Sequence, residues 1–423
     1  MTQEAGTMGD PHHFGRLAFR GLLVLTLINL FNYLDRYVVA ALVESLKKSD
    51  LKLLDSEAGL LMTGFVIVYM VTSPIFGALG DRLSRPRLLA FGVFVWSLAT
   101  AMAGMAQSFM SLFFARAAVG IGEAAYGTIA PALIADYFPK SQRGRVYSIF
   151  FSAIPIGSAL GYVIGGYVDQ HFGWRMAFYV AGVPGILLAF WALFLFDPPR
   201  GIQEDPEDQL DHQASKSDYK SLASNLPFIK TVLGYAAYTF ALGGLAFWMP
   251  AFLERVRGVP KAEATMTFGM IVVGTGFIGT FLGGYLADLL FKRNKQAYLW
   301  VSGIATLLAV PFAVIALTSP ERSIYISATA IAETLLFAST GPVNSALINA
   351  VPAGIRALSV AICNFTIHLM GDVPSPPLIG YISDRSSLSN GVMLVPFAVA
   401  LAGIIWIYAA WTEGKAPRRR GSI

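Results

Sequence analysis

The chain has 423 residues, of which 55% are hydrophobic and 13% are charged, and its mean hydropathy is +0.59. Soluble globular chains carry about 25% charged residues, so this composition excludes a soluble protein and indicates an integral membrane protein. The net charge of +5 comes from basic residues in the predicted loops. Such a distribution indicates membrane topology and not nucleic-acid binding.

Twelve apolar segments are each long enough to cross a hydrocarbon core of about 30 Å as a helix. With both termini in the cytoplasm, the inner loops and tails hold twenty Lys and Arg residues and the outer loops nine. We therefore expect an all-α membrane protein with cytoplasmic termini, in agreement with the positive-inside tendency. The predicted spans are residues 21–46, 57–80, 88–106, 110–136, 146–168, 174–196, 226–254, 264–290, 297–318, 322–350, 355–382 and 391–412.

The first span contains two adjacent charged residues, Asp35 and Arg36, near its centre. An ionised side chain at that depth costs about 2.5–3.5 kcal/mol even on lenient insertion scales, so the pair predicts a functional role. Neighbouring residues on a helix point about 100° apart, so we expect these two to have different partners. Asn32 and Tyr33 precede them and are predicted to line a substrate cavity.

The second span ends in G-A-L-G-D-R-L-S-R-P-R (Gly77–Arg87), and the eighth ends in the related G-Y-L-A-D-L-L-F-K-R (Gly284–Arg293), 207 residues later. The chain is therefore predicted to consist of two homologous six-helix bundles with a substrate path between them, as in other transporters with parallel repeats. Two further pairs repeat at nearly the same offset: residues 132–143 with 346–356, and residues 166–169 with 380–384.

The domain prediction follows from this duplication. It comprises an N-terminal bundle (residues 1–196), a cytoplasmic linker (197–225), a C-terminal bundle (226–413) and a basic cytoplasmic tail (414–423). The linker is polar, acidic and rich in proline, which favours a solvated tether over a short surface helix.

The loop after the second span resembles the signature loop of the major facilitator superfamily, with Ser84 where glycine is usual. The resemblance implies a conformational latch on the cytoplasmic side, because a carboxylate at a helix end can bond arginine and helix-end amides. Simple positive-inside anchoring is the alternative. The latch residues expected from the motif and its second copy, in which Leu289 replaces the first arginine, are Gly77, Asp81, Arg82, Arg85, Arg87, Gly284 and Asp288.

The fourth span contains Arg116 and Glu123, seven residues apart, so both lie on one helix face at a separation of about 10.5 Å. Each needs a partner elsewhere, and we expect Asp35 to pair with Arg116, and Arg36 to pair with Glu123 or share a water with it. A permanent structural ion network is the alternative. Residues 242–250, at the repeat positions of the first-span charges, are apolar or glycine, which favours a function confined to one half.

The fifth span has the glycine series Gly157, Gly161, Gly165 and Gly166, a spacing that permits close helix packing. The series also resembles the exporter and antiporter signature of the superfamily, except that Tyr162 stands in place of its proline. Generic close packing is the alternative interpretation.

The second half has fewer charged residues within its predicted spans. His368 and Asp372 are four residues apart, so Asp372 can hold the imidazole in one tautomer. Both a structural histidine and a proton carrier fit this spacing. Prolines at 374, 376 and 377 predict a break in the eleventh span. The predicted cavity residues of this half are Glu333, Asn344, Asn364 and His368.

Three motifs together resemble the spinster branch of the superfamily: N-x-x-N-Y-x-D-R, R-x-x-x-G-x-G-E-A and G-D-R. The resemblance implies a proton-linked carrier of lysolipids and sphingoid phosphates. Its coupling groups fall on Asp35, Arg36, Arg116 and Glu123. We expect a monomeric, multi-pass protein of the cell membrane, the inner membrane in a bacterium. It would contact membrane lipids, bind an amphipathic lipid-like anion and use protons in place of any cofactor.

Other classes of protein make different demands on the sequence. A proton-driven multidrug exporter would need a free carboxylate where a carrier of lipid anions would need an exposed arginine. A membrane-embedded enzyme lacks a nucleophile and base at membrane depth, and a receptor does not account for the duplicated loop. The single cysteine, Cys363, and the five histidines show no metal-ligand spacing, so no metal site is predicted.

Overall fold

The computed structural model describes residues 11–203, 216–351 and 355–415, and these are organised as helices without β-strands. Parts of the predicted linker and tail, residues 204–215 and 416–423, lie outside the described residues. The first half contains α1 (Pro11–Lys48), α2 (Asp55–Arg82), α3 (Arg85–Ala103), α4 (Phe109–Tyr137), α5 (Lys140–Phe172) and α6 (Trp174–Ala192). The remainder contains α7 (Lys216–Ala223), α8 (Leu226–Arg255), α9 (Lys261–Phe291), α10 (Ala297–Thr318), α11 (Arg322–Asn349), α12 (Arg356–Ile367), a π-helix (His368–Asp372), α13 (Ser375–Arg385), α14 (Leu388–Val392) and α15 (Leu394–Lys415).

Within the described ranges, eleven helical segments are long and apolar enough to cross a membrane. The predicted eleventh span is instead divided into α12, the π-helix and α13. The three prolines at positions 374, 376 and 377 have no N–H to continue the helical ladder, so the break predicted from them is confirmed.

The packing divides the chain into two compact units. The N-terminal unit contains residues 1–211 and also residues 253–269, and the C-terminal unit contains residues 212–252 and 270–423. The end of α8 and the start of α9 thus belong to the N-terminal unit, whereas the domain prediction assigns all of residues 226–413 to the C-terminal bundle.

Ion pairs explain why residues 253–269 belong to the N-terminal unit. Arg255 bonds Glu44 of α1 at 2.5 Å and Asp55 of α2 at 2.5 Å. Lys261 bonds Asp169 of α5 at 2.8 Å. The three carboxylates are buried, so loss of either basic partner would leave charge uncompensated in a low-dielectric region.

Glycines set the distance between α1 and α5. A Cβ at Gly157 would overlap the backbone carbonyl of Leu30, and one at Gly161 would overlap that of Leu34. A Cβ at Gly165 would lie 3.0 Å from a methyl carbon of Val38. The predicted close-packing face is therefore confirmed, and it fixes the helix that contains Asp35 and Arg36.

The C-terminal unit begins with α7, which differs from the solvated tether favoured by the sequence. Leu222 of this helix is 1% exposed and belongs to a core cluster with Phe228, Leu347 and Cys363. One buried leucine in a polar segment is a weak signal, and only the packing partners show that these residues are ordered as a helix.

Candidate functional site

Asp35 of α1 and Arg116 of α4 form the more deeply buried half of the site, and each is 1% exposed. The Arg116 Nη1 donates to Asp35 Oδ1 at 2.9 Å, as the sequence predicted. The Thr100 hydroxyl of α3 donates to the second carboxylate oxygen. Both Asp35 oxygens are therefore bonded, and this pair joins three helices.

Arg36 and Glu123 form the second predicted pair, with Nη2 donating to Oε2 at 2.6 Å. The arginine side chain is 18% exposed, whereas the glutamate side chain is 0% exposed. Arg36 Nε and Glu123 Oε1 are buried and have no hydrogen-bond partner among the described residues. The pair is thus incomplete and retains both a donor and an acceptor for a ligand.

Aromatic rings surround the Arg36 guanidinium. Its central carbon lies 4.9 Å from the ring centroid of Tyr33, 5.0 Å from that of Phe65 and 5.7 Å from that of Tyr69. Cation–π attraction of this kind holds an arginine in place without using its hydrogen-bond donors. The surroundings therefore combine one charged group with an apolar wall, which suits an amphipathic anion.

Asn32 lies one helical turn before Arg36 and is 4% exposed. Its Nδ2 has no hydrogen-bond partner among the described residues. A buried amide donor left unmet costs about 1–3 kcal/mol. Together with Arg36 Nε it provides a second donor for an anionic or hydroxyl-bearing ligand.

Two glycines of the fourth-span motif bring these groups together. Gly120 packs against the α2 backbone at Phe65, and Gly122 packs against the α3 backbone at Gly92. A Cβ at either position would overlap backbone atoms. Because α4 can approach both helices closely, Glu123 lies beside Arg36 and Arg116 lies beside Asp35.

The signature loop after α2 is stabilised through Arg85. Its side chain is buried and bonds the carboxylates of Asp136 and Asp197 and, at 2.5 Å, the carbonyl of Pro198. Arg200 donates to the carbonyl of Gly80 at 2.8 Å. This loop is therefore tied to the end of α4 and to the segment that follows α6, within the N-terminal unit.

The latch role expected of Asp81 stays a prediction, because this structure shows no bond from Asp81 to a described arginine. Asp81, Arg82 and Arg87 are exposed and have no hydrogen bond or ion pair with a described residue. Arg85 begins α3, so its side chain reaches Asp136 at the end of α4 and Asp197 in the segment after α6. In the second copy, Asp288 accepts a bond from the Tyr298 hydroxyl at 2.9 Å, and no atom lies near the position of a Cβ on Gly284.

The cavity residues predicted in the second half lie on α11, α12 and the π-helix, and they have different partners. His368 Nδ1 lies 3.0 Å from both Asp372 oxygens, within the π-helix. Asn344 is exposed and donates to Thr340 at 2.8 Å, and Asn364 is also exposed. Glu333 is 3% exposed and has no hydrogen bond or ion pair with a described residue.

Sequence reasoning missed Thr100, which bonds Asp35, and it missed Phe65 and Tyr69, whose rings pack around Arg36. No signal distinguishes them, because hydroxyl and aromatic residues are common in membrane helices. The pairing of charges was predictable because unmatched buried charges must find partners.

A profile of the Major Facilitator Superfamily matches residues 25–373 of this chain. The Danio rerio sphingosine-1-phosphate transporter SPNS2 is 34% identical over 438 residues, covering 95% of this chain and 86% of that protein. The Homo sapiens protein spinster homolog 1 is 36% identical over 435 residues, covering 95% and 82%. A bacterial homolog of the human lysosomal transporter spinster, crystallised in an inward-facing and unoccupied conformation, has the same fold. The two structures superpose with a TM-score of 0.81 at 23% sequence identity, and the match covers 94% of this chain and 96% of that chain.

The helical architecture and the profile match together define this chain as a member of the major facilitator superfamily of membrane transporters. Within that superfamily it belongs to the spinster family, whose members match it at more than 30% identity along most of its length. The protein is therefore a multi-pass membrane transporter and not an enzyme.

Proposed function

We propose that this chain is a proton-coupled secondary active transporter of an amphipathic lipid-like anion, a lysophospholipid or a sphingoid phosphate, working by alternating access. Relatives that include a sphingosine-1-phosphate transporter support the substrate class. The coupling ion is the proton, and no other cofactor is required. The transporter acts as a monomer in the cell membrane.

The observation that carries the proposal is the difference in exposure between Arg36 and Glu123. The arginine is the partly exposed member of the pair and has an unpartnered Nε, while the carboxylate is fully covered. A phosphate group approaching this site therefore meets the cation first. Tyr33 and Phe65 provide an apolar wall for the adjoining part of the ligand.

Charge balance explains how a proton is coupled to the substrate. In this structure Arg36 and Glu123 neutralise each other at 2.6 Å. When a substrate anion takes the arginine, the glutamate is left as an uncompensated buried charge, which strongly favours its protonation. Proton and anion therefore bind together, and the net charge of the site is unchanged.

Asp35 and Arg116 have a different role in this proposal. Both oxygens of Asp35 are bonded, and both residues are buried. We assign them as positioning residues that hold α1, α3 and α4 in register. We thus assign different roles to two carboxylates that the sequence treats as equivalent coupling groups.

A proton-driven multidrug exporter is the alternative within the superfamily. Cationic drugs need an accessible carboxylate, but the side chains of Asp35 and Glu123 are 1% and 0% exposed. The exposed charge of this network is positive. This distribution favours an anionic substrate over a cationic drug.

Transport in proteoliposomes tests the proposal, with a lysophospholipid and sphingosine 1-phosphate as substrates and a cationic dye as comparison. An imposed pH gradient is expected to accelerate uptake of one of the anions by the wild type. Glu123→Gln is expected to bind substrate without gradient stimulation, and Arg36→Gln is expected to lose binding.

Arg175→Gln and Glu254→Gln are matched control variants. They make the same two changes outside the four-charge network, and they should transport like the wild type. Transport of the dye alone would instead support the exporter. Full gradient stimulation in Glu123→Gln would remove the proton site from this network and make the His368–Asp372 pair the next candidate.

A further inference from the structure

Glu333 is a buried acidic residue that the proposed mechanism does not use. It lies in α11, which is the fourth span of the second half, as α4 is of the first. Glu333 follows Glu123 by 210 residues, and the helix prolines Pro131 and Pro342 are 211 residues apart. Glu333 therefore occupies, within one residue, the repeat position of Glu123.

The two glutamates differ in their partners. Glu123 bonds Arg36 of the first helix in its half. The corresponding stretch of α8, residues 242–250, contains no basic residue. Among the described residues, no hydrogen bond or ion pair reaches the Glu333 carboxyl group. The second half therefore contains the acidic residue of this pair without its basic partner.

The surroundings of Glu333 are apolar. It lines a cavity of about 20 Å³, enough for one water, with uncharged residues from α8, α10, α11 and α15. Thr329 is the polar residue of that lining, and its hydroxyl donates to the Tyr325 carbonyl at 2.7 Å. Tyr238 of α8 interacts electrostatically with Glu333, and its hydroxyl donates to the Leu336 carbonyl. The cavity lining therefore contains no cation, and both neighbouring hydroxyl hydrogens are used elsewhere.

The position of Glu333 along α11 also disfavours its charged form. Glu333 lies about 16 Å along α11 from its first residue, near the middle of the hydrocarbon core. An ionised carboxylate without a counter-ion is strongly disfavoured at such a depth, and buried groups of this kind become neutral. We propose that Glu333 is a protonated carboxylic acid and a second proton-carrying site of this chain, located in the C-terminal unit.

Chemical modification tests the protonation state without any transport assay. Dicyclohexylcarbodiimide adds to a protonated carboxyl group: the acid proton moves to a carbodiimide nitrogen, the carboxyl oxygen bonds the central carbon, and the adduct rearranges to an N-acylurea with no atom lost. At pH 7 we expect mass spectrometry of purified protein to show Glu333 modified at least about tenfold more than the ion-paired Glu123. Equal or lower modification of Glu333 would overturn the proposal.

Infrared spectroscopy provides a readout that does not depend on access of the reagent. The difference spectrum between wild type and Glu333→Gln at pH 7 should contain the C=O stretching band of a protonated carboxyl group. Carboxylate bands in its place would overturn the proposal. Glu321→Gln, at an exposed position just before α11, is the matched control for the amide contribution.

The part that this proton plays in transport rests on the proposed function. Glu333→Gln should reduce the stimulation of transport by a pH gradient at least about twofold. Undiminished stimulation would exclude Glu333 from coupling. If the wild type itself does not respond to a pH gradient, the proposed function fails, while modification and infrared spectra still decide the protonation of Glu333.

Discussion

Arg36 and Glu123 are joined at 2.6 Å, yet the arginine side chain is 18% exposed and the glutamate side chain is fully covered. One unpartnered atom remains on each residue, Nε on the arginine and Oε1 on the glutamate. An ion pair whose only purpose was structural would gain by bonding these atoms. Under the proposed function, this pair opens so that the arginine binds the anion and the glutamate takes up the proton.

The first prediction concerns the pH dependence of substrate binding. If one proton binds with each substrate anion, the affinity for the substrate should fall about tenfold for each unit by which the pH rises, in the range where Glu123 titrates. Glu123→Gln should bind with the affinity of the protonated site and lose this slope. Equilibrium binding of sphingosine 1-phosphate across pH measures both, and the variant also corrects for titration of the substrate phosphate. Parallel slopes in the two proteins would contradict co-binding.

The second prediction concerns the Asp35–Arg116 pair. Asp35→Asn or Arg116→Gln alone should destabilise the protein by about 3–5 kcal/mol, because each leaves the other charge buried and uncompensated. The double variant should be more stable than the sum of the two changes predicts. Unfolding in detergent micelles, analysed as a double-mutant cycle, measures the coupling. Additive effects would show that the two residues do not act as a pair.

The third prediction concerns the contact between α1 and α5. Replacing a helical glycine by alanine normally favours the helix by about 1 kcal/mol. At Gly161 the added Cβ overlaps the Leu34 carbonyl, so Gly161→Ala should instead destabilise the protein by about 1–3 kcal/mol. Gly274→Ala, where nothing lies within 4 Å, is the control. Equal melting temperatures for the two variants would refute the close contact.

The fourth prediction separates anchoring from latching in the signature loop. Arg85→Gln should cost about 3 kcal/mol of unfolding free energy, because Asp136 loses its buried partner. Asp81→Asn should leave unfolding unchanged, since Asp81 is exposed. If Asp81 is the latch, spin-label distances between the ends of the second and eleventh spans should nevertheless shift in Asp81→Asn. An unchanged distance distribution would assign the motif to anchoring.

The fifth prediction concerns orientation. The charge bias of the loops predicts that Ser84 and Ser217 face the cytoplasm. Single cysteines at these positions, in a Cys363→Ser background, should react with an impermeant thiol reagent only after the membrane is opened. Labelling in intact cells would reverse the predicted topology. A cysteine at Ser49, in the connection between α1 and α2, is the opposite-side control.

The elements of the fold were predictable because membrane insertion imposes length and hydropathy on every span. The same physics made Asp35, Arg36, Arg116 and Glu123 visible, since charges at that depth are costly and must pair. The glycine face of α5 was predictable for a related reason, because only glycine permits the observed approach of α1. In each case a local sequence feature has one low-energy outcome.

The sequence by itself therefore determined the all-helical membrane fold and the partners within the four-charge network. Only the tertiary structure decided that Arg36 and not Glu123 is exposed, that Arg85 and not Asp81 forms the ion pairs of the signature loop, and that residues 253–269 pack with the N-terminal unit. These outcomes depend on how closely helices distant in the chain approach one another. Side-chain exposure and pairing at helix ends follow from those distances, which no spacing within a single helix encodes.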